Sequence, residues 1–200
     1  MSAGYSGLFT SAVSLGPVAE RNGPWTVHAS EVVYENPWIR VRHDTVTTPS
    51  GTEGIYGVVE TRPAIGIVAL DDENRTYLIG QHRYPHGTYT WEIPEGAGRD
   101  HEDLLTGARR ELREETGLSA ARWTPLGTIQ TSNCISDEVA YLFLAEELTV
   151  GDPEPDETEE LEVRVVPFED AMAMVRSGAI QDAMSAVALY RTSELLAERA

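Results

Sequence analysis

Glu111, Glu114 and Glu115 stand three and four residues apart, a spacing that puts their carboxylates on one ridge of a helix of about 3.6 residues per turn. Like charges so placed repel by roughly a few tenths of a kcal/mol per pair, and a bound cation reverses that cost. Oxygen-only ligands on a rigid element suit hard ions such as Mg2+ or Mn2+, and those ions suit phosphate chemistry. A helix must hold the ridge. Asp100 is expected to cap its N-terminus, with Glu102 and Asp103 in the first turn, and Gly117 to take the left-handed position at its end. Leu104, Leu105, Ala108, Leu112 and Thr116 recur at helical steps and are the expected buried stripe. On these residues alone the competing reading is a solvated helix whose Arg109, Arg110 and Arg113 pair with the glutamates.

The pattern extends beyond the ridge. Gly96, five residues, Glu102, seven residues, then Arg110-Glu111-Leu112-x-Glu114-Glu115-x-Gly117-Leu118 resembles the complete Nudix box. Gln81-His82-Arg83-Tyr84-Pro85, Trp91-Glu92-Ile93-Pro94-Glu95-Gly96 and Gly178-Ala179-Ile180-Gln181-Asp182-Ala183 narrow the likeness to the ADP-ribose and nucleoside-diphosphate-sugar pyrophosphatase branch of the Nudix hydrolases. The resemblance covers residues 30 to 190 and is strongest over 79 to 118. That branch often carries Ser-Pro-Gly after the box helix, where this chain has Ser132-Asn133-Cys134 before Ser136-Asp137-Glu138. The departure leaves the sugar and nucleotide open.

The resemblance implies an α+β fold, an α/β/α Nudix sandwich with a mixed central sheet and an N-terminal antiparallel sheet. It implies Mg2+-dependent (or Mn2+-dependent) cleavage of the diphosphate in ADP-ribose or a related nucleoside diphosphate sugar. The metal ligands would be Glu111, Glu115, Glu114 and the backbone carbonyl of Glu95. Glu138 would be the general base, with Glu114 and Asp137 as competitors and simple loop solvation as its other reading, and Glu102 would orient the box through an arginine such as Arg110. Arg83 closes a strand beside the box, and its guanidinium matches phosphate oxygens, so it is the candidate phosphate contact; a surface salt bridge is its other reading. Trp38 lies where the branch stacks the base, often across a homodimer; core packing is its other reading. His82, His86 and His101 lack metal-ligand spacing and are read as structural or exposed. Other nucleoside diphosphate derivatives, such as dinucleoside polyphosphates or coenzyme A, stay open as substrates. So do capped RNA ends, which the acidic surface disfavours, and a non-catalytic nucleotide-sugar sensor.

Charge and composition narrow the partners. With 33 acidic against 15 basic residues the net charge is −18, which disfavours capture of a nucleic acid polymer or an anionic membrane. All 15 basic residues are arginine, so no lysine is present for Schiff-base chemistry. A single cysteine, Cys134, excludes an internal disulfide or a multi-cysteine zinc site, and a reducing cytoplasm is expected. Cys134 lies in a plausible substrate loop but has no partner base nearby in sequence, so it is read as inert. The N-terminal apolar stretch has no basic residue before Arg21, unlike a secretory signal, and no run reaches membrane-spanning length.

Three segments follow: a flexible arm at 1–24, an N-terminal antiparallel sheet at 25–61 serving as a dimerisation element, and a hydrolase domain at 62–200. Strands are expected at Thr26–Tyr34, Trp38–Thr48 and Gly54–Glu60. Ala64–Leu70 and Thr76–His82 flank the turn Asp71-Asp72-Glu73-Asn74 and read as a hairpin. Trp91–Pro94, Trp123–Thr131, Glu138–Ala145 and Leu161–Val166 are further strands, and Phe168–Ser177 and Asp182–Arg199 are helices. Residues 146–160 hold eight acids and no base and read as a surface loop.

Overall fold

A computed structural model describes residues 19–152 and 160–199. The described chain falls into two units, one formed by residues 19–62 with Ser132–Glu138, the other by Pro63–Thr131 with the chain from Val139 onward.

The first unit is an antiparallel sheet in the order β1 (Glu20–Asn22), β2 (Trp25–Glu35), β3 (Ile39–Thr47) and β4 (Glu53–Thr61). The residues expected to form an arm thus include a strand, β1, paired with β2; residues 1–18 lie outside the described residues. Asn36 shapes the turn between β2 and β3, its side-chain oxygen accepting from the amides of Trp38 at 2.8 Å and Ile39 at 2.9 Å. Strand β3 therefore begins after Trp38, which is 72% exposed and not a core residue. Segment Ser132–Glu138 docks on β4 through a bridge between Val59 and Ser136 and a 2.9 Å bond from the Thr61 amide to Asp137 Oδ1.

The second unit is built on β5 (Ala64–Ala69), β6 (Arg75–Arg83), β7 (Thr88–Glu92), β8 (Glu95–Ala97), helix α1 (Leu104–Thr116), β9 (Leu118–Gln130), β10 (Val139–Val150), β11 (Glu162–Pro167), α2 (Phe168–Ser177) and α3 (Ala183–Arg199). Its main sheet runs β8-β5-β10-β9, with β5 and β10 parallel and the other pairs antiparallel, so it is mixed. Both faces are covered, which explains the near-continuous apolar runs of β5 and β10. Ile65, Ile67, Phe143 and Ala145 pack with Ala108 and Leu112 of α1. Ala64, Val68, Leu142 and Leu144 pack on the other side with α2 and α3 residues such as Ala171, Ala188 and Leu189.

The expected β5–β6 hairpin is not formed. Asp71 does fold the turn, its carboxylate accepting from the amides of Glu73 and Arg75, and Leu70 bridges Thr76. Beyond that bridge the strands part, because β5 is flanked by β8 and β10, and β6 joins β11 and β7 in a separate sheet. Strand β8 was not expected either; its residues lack alternation and are held by main-chain pairing of Ile65 with Gly96 and Gly66 with Glu95. Helix α1 is capped by Asp103 rather than Asp100, its carboxylate accepting from the Leu105 and Thr106 amides at 3.1 and 3.2 Å. The chain turns back at His101 (φ 64°), so Asp100 and Glu102 precede the helix. Gly117 ends it in the left-handed conformation as expected (φ 72°).

Strand β9 starts directly at Leu118, earlier than expected, and pairs with β10 from Leu118 opposite Val150 to Gln130 opposite Val139. Residues 146–150 are therefore strand, not loop, and Glu146 is buried beneath Arg122 (3.0 Å) and Arg199 (3.0 Å). The rest of the expected acidic loop, 153–159, lies outside the described residues. On β9, Gly127 (φ 94°) follows Leu126, and Arg191 of α3 donates to the carbonyls of Leu126 at 2.9 Å and Thr128 at 3.3 Å. No helix among the described residues is long and apolar enough to cross a membrane.

Candidate active site

Helix α1 puts its acidic ridge inward, beside the apolar stripe, so Glu111 and Glu115 are buried (9% and 5% exposed) and Glu114 is half-buried. One cation organises them. The Arg110 guanidinium grips both Glu102 oxygens at 3.1 and 3.0 Å, reaches Glu111 Oε1 at 2.7 Å and Glu114 Oε2 at 2.9 Å, and donates to the Ala97 carbonyl at 3.2 Å. Burial works against the charged guanidinium, yet its bonds to Glu102, Glu111 and Glu114 hold its pKa above the ordinary value. The same hydrogen bonds hold Glu102 below the usual carboxylate range. Arg99 adds a contact to Glu114 at 3.3 Å. The solvated mixed-charge helix is thus set aside for the ridge itself, because Arg110 pairs with it at a buried position.

Two glycines let the strands come close. A methyl on Gly107 would meet Ile65 Cδ1 at 2.6 Å, so glycine there allows α1 to lie flat on β5. A methyl on Gly96 would collide with the Glu111 carboxylate, which occupies the space above β8. Glu115 reaches the same strand, its Oε2 accepting from the Glu95 amide at 3.0 Å.

A second cluster lies next to this one and was only partly legible. Arg83 ends β6 and, instead of presenting a free fork, is paired along one edge. Its Nε donates to Glu92 Oε2 at 3.2 Å, its Nη2 lies 2.6 Å from Glu92 Oε1, and Nη2 also reaches Glu95 Oε1. Glu92, 1% exposed, further accepts from Gln81 Nε2 and from Thr90 Oγ1 at 3.4 Å. Burial raises the pKa of Glu92, with Arg83 opposing. Glu95 is pushed well above the usual carboxylate range by burial, and Asp182 and Glu92 add to the effect. Its Oε2 is buried with no hydrogen-bond partner. Glu92 and Gln81 were missed as site residues. The available signal was the period of two, since the turn at Gly87 sets Gln81 opposite Thr90 and Arg83 opposite Thr88.

Of the other expected site residues, Trp38 and Glu138 belong to the first unit. Glu138 directly precedes β10, is half-buried, and its amide donates to Ser136 Oγ at 3.0 Å. Asp137 is engaged by Thr61, and the Cys134 carbonyl accepts from the Tyr56 hydroxyl at 2.8 Å while its side chain is exposed. The same unit has a cleft of about 430 Å³ lined by Trp25, Arg42, Asp44, Tyr56 and the 133–137 loop.

No three acids, histidines or cysteines among the described residues are already gathered into a cation cage, because Arg110 holds Glu111 and Glu114. The donors nonetheless fit a hard divalent ion. They are anionic oxygens on a rigid helix, facing a strand whose glycine leaves room for the Glu111 carboxylate.

Comparison with known proteins agrees with this geometry. The NUDIX domain model matches residues 60–186, and the model of the nucleoside diphosphate sugar hydrolase N-terminal domain matches residues 25–59. The chain is 34% identical to an ADP-ribose pyrophosphatase of Bacillus subtilis over 80% of its length and 88% of the relative's. It is also 34% identical to an ADP-ribose pyrophosphatase of Mycobacterium tuberculosis, over 78% of this chain and 77% of that one. Among solved structures, one titled as an ADP compounds hydrolase superposes with a TM-score of 0.80 at 22% identity, covering 90% of this chain and 98% of the other, a likeness of fold.

Gly96→Ala is expected to fold, since the colliding group is the end of a flexible side chain. It should lose the rise in Tm that Mg2+ or Mn2+ gives the parent chain. An undiminished rise in a thermal-shift titration would remove the Gly96–Glu111 contact from any cation site.

Proposed function

We propose a reaction for this chain from the premise that it belongs to the NUDIX domain family and is a hydrolase acting on phosphoric anhydrides. The reaction is cleavage of the diphosphate linkage of ADP-ribose or a related nucleoside diphosphate sugar, giving a nucleoside monophosphate and a sugar phosphate. The observation that carries it is the buried ridge of Glu111, Glu114 and Glu115, ordered by Arg110 and closed against β8. It lies in a chain whose similar relatives are named for ADP-ribose.

Glu111, Glu115 and Glu114 would hold Mg2+ or Mn2+, with the backbone carbonyl of Glu95 as a further donor. When bound, such an ion neutralises charge on the diphosphate and lowers the pKa of water. The protein's own groups do the rest. Arg110 and Glu102 keep the carboxylates in place. Water adds its oxygen to one phosphorus, the P–O bond to the bridging oxygen breaks, and Glu138 accepts the proton that the water gives up. Glu114 and Asp137 are the alternative acceptors. Arg83 offers the substrate phosphate its Nη1, since Nε and Nη2 are committed to Glu92 and Glu95; the contact is then a single donor and not a bidentate fork. Trp38, exposed on its turn, stacks on the base, with a second copy of the chain completing the site through the sheet of residues 25–61.

Incubation of the protein with Mg2+ and a panel of nucleoside diphosphate sugars, dinucleoside polyphosphates and coenzyme A should release AMP and ribose 5-phosphate from ADP-ribose most efficiently. Glu111→Gln and Glu115→Gln should fold and lose most of that activity, and wild-type turnover by either at low Mg2+ would overturn the ligand assignment. Binding of the sugar nucleotide without turnover by the parent chain would point to a sensor instead. A general base is worth about 10^2 to 10^4 in rate, so Glu138→Gln should lower kcat by that order with KM nearly unchanged. A kcat within a few-fold of the parent moves the role to Glu114 or Asp137. Light scattering at micromolar concentration should report a homodimer; a monomer would remove the second copy's part in the site.

A further inference from the structure

We propose that Glu92 is a positioning residue that fixes the Arg83 guanidinium by its Nε and Nη2 edge, so that Nη1 alone faces the substrate anion. The inference rests on the reading of Arg83 as a phosphate contact and adds to it a residue on the neighbouring strand, β7. Every group bonded to the Glu92 carboxylate is a donor: Gln81 Nε2, Thr90 Oγ1, and Arg83 Nε and Nη2. Such a site accepts only a group with two acceptor oxygens. It is also nearly dry, Glu92 being 1% exposed, whereas the Arg83 side chain keeps 37% exposure. The carboxylate thus anchors from inside a guanidinium whose remaining face meets solvent.

The anchoring is built into the sheet. Glu92 of β7 lies opposite Ile79 of β6, and Gln81 and Arg83 follow at the next two same-face positions of β6 toward the turn, so the acid and both donors share one face of the hairpin. The amide of the next residue, Ile93, donates to Ser185 Oγ of α3 at 2.9 Å, which fixes the backbone that carries Glu92. Glu95 contributes a single contact on the other side of Nη2 and leaves its own Oε2 without a partner, whereas Glu92 engages both Nε and Nη2. A flexible arginine would sample many rotamers and lose that freedom on binding; one held by a charge-assisted pair binds an anion with less to lose.

The test combines a structural and a kinetic readout. In the parent chain the 15Nε–Hε resonance of Arg83, assigned by its disappearance in Arg83→Lys, should be sharp and slow to exchange with solvent. In Glu92→Gln, whose amide brings a donor against donors, it should exchange fast. Should that variant fail to fold, Glu92→Asp, which withdraws the carboxylate by one methylene, should give the same result. With ADP-ribose and Mg2+, Glu92→Gln should raise KM by about tenfold, as for loss of a bond to a charged group, and change kcat much less. Arg83→Ala should raise KM at least as much, and Glu92→Gln should add nothing in the Arg83→Ala background. A protected Arg83 resonance in the Glu92 variants, an unchanged KM in Glu92→Gln, or an equal KM increase without Arg83 would each overturn the proposal. If the parent chain does not hydrolyse ADP-ribose, the substrate reading fails, while the resonance still decides whether Glu92 holds Arg83.

Discussion

The contact on which the catalytic half depends is that of the Arg110 guanidinium with Glu102, Glu111 and Glu114. Three carboxylates, two of them on one helical ridge, are brought close and partly removed from water, an arrangement that costs free energy unless a cation shares it. Arg110 supplies that cation from the ridge itself and also ties it to β8 through the Ala97 carbonyl. The remaining architecture follows as support. Gly107 lets the helix approach β5, Gly96 leaves room for Glu111, and the apolar runs of β5 and β10 supply a floor covered on both sides.

The box helix was legible because its signals are local. The spacing of Glu111, Glu114 and Glu115, the stripe ending at Leu112 and Thr116, and Gly117 all act within a few residues. The cap was misplaced for a local reason too, since Asp100, Glu102 and Asp103 all precede the helix and the sequence does not say which of them accepts from the first-turn amides; Asp103 does. The mixed central sheet and the covering helices were likewise foreseeable, through the resemblance and the lengths of the apolar runs.

What was not legible depends on partners distant in sequence. The turn at Asp71 forms as its residues dictate, but which sheet β6 joins is decided by β7 and β11. Strand β8 has no pattern of its own and exists because β5 offers it an edge. Arg83 could be read from the sequence as a cation near the box, but its ion pairs with Glu92 and Glu95 could not, because they require knowing that the chain returns after Gly87 in one register. Composition misled at residues 146–150, where an acidic run continues a strand once Arg122 and Arg199 neutralise Glu146.

The outer border of the main sheet carries a consequence for the molecule's behaviour in crowded solution. Among the described residues, strand β9, thirteen residues long, has no neighbour in its sheet beyond β10, and an open border of that length is a template on which a foreign strand can assemble. Here Pro125 withholds one amide, the bulge opposite Leu142 and Phe143 breaks the register, and Arg191 already occupies the carbonyls of Leu126 and Thr128. An incoming backbone would find two acceptors already bonded and the spacing irregular at the bulge. The arginine that α3 lays across this border thus takes two main-chain oxygens on which an added strand would otherwise bond, and narrows the template that the border offers.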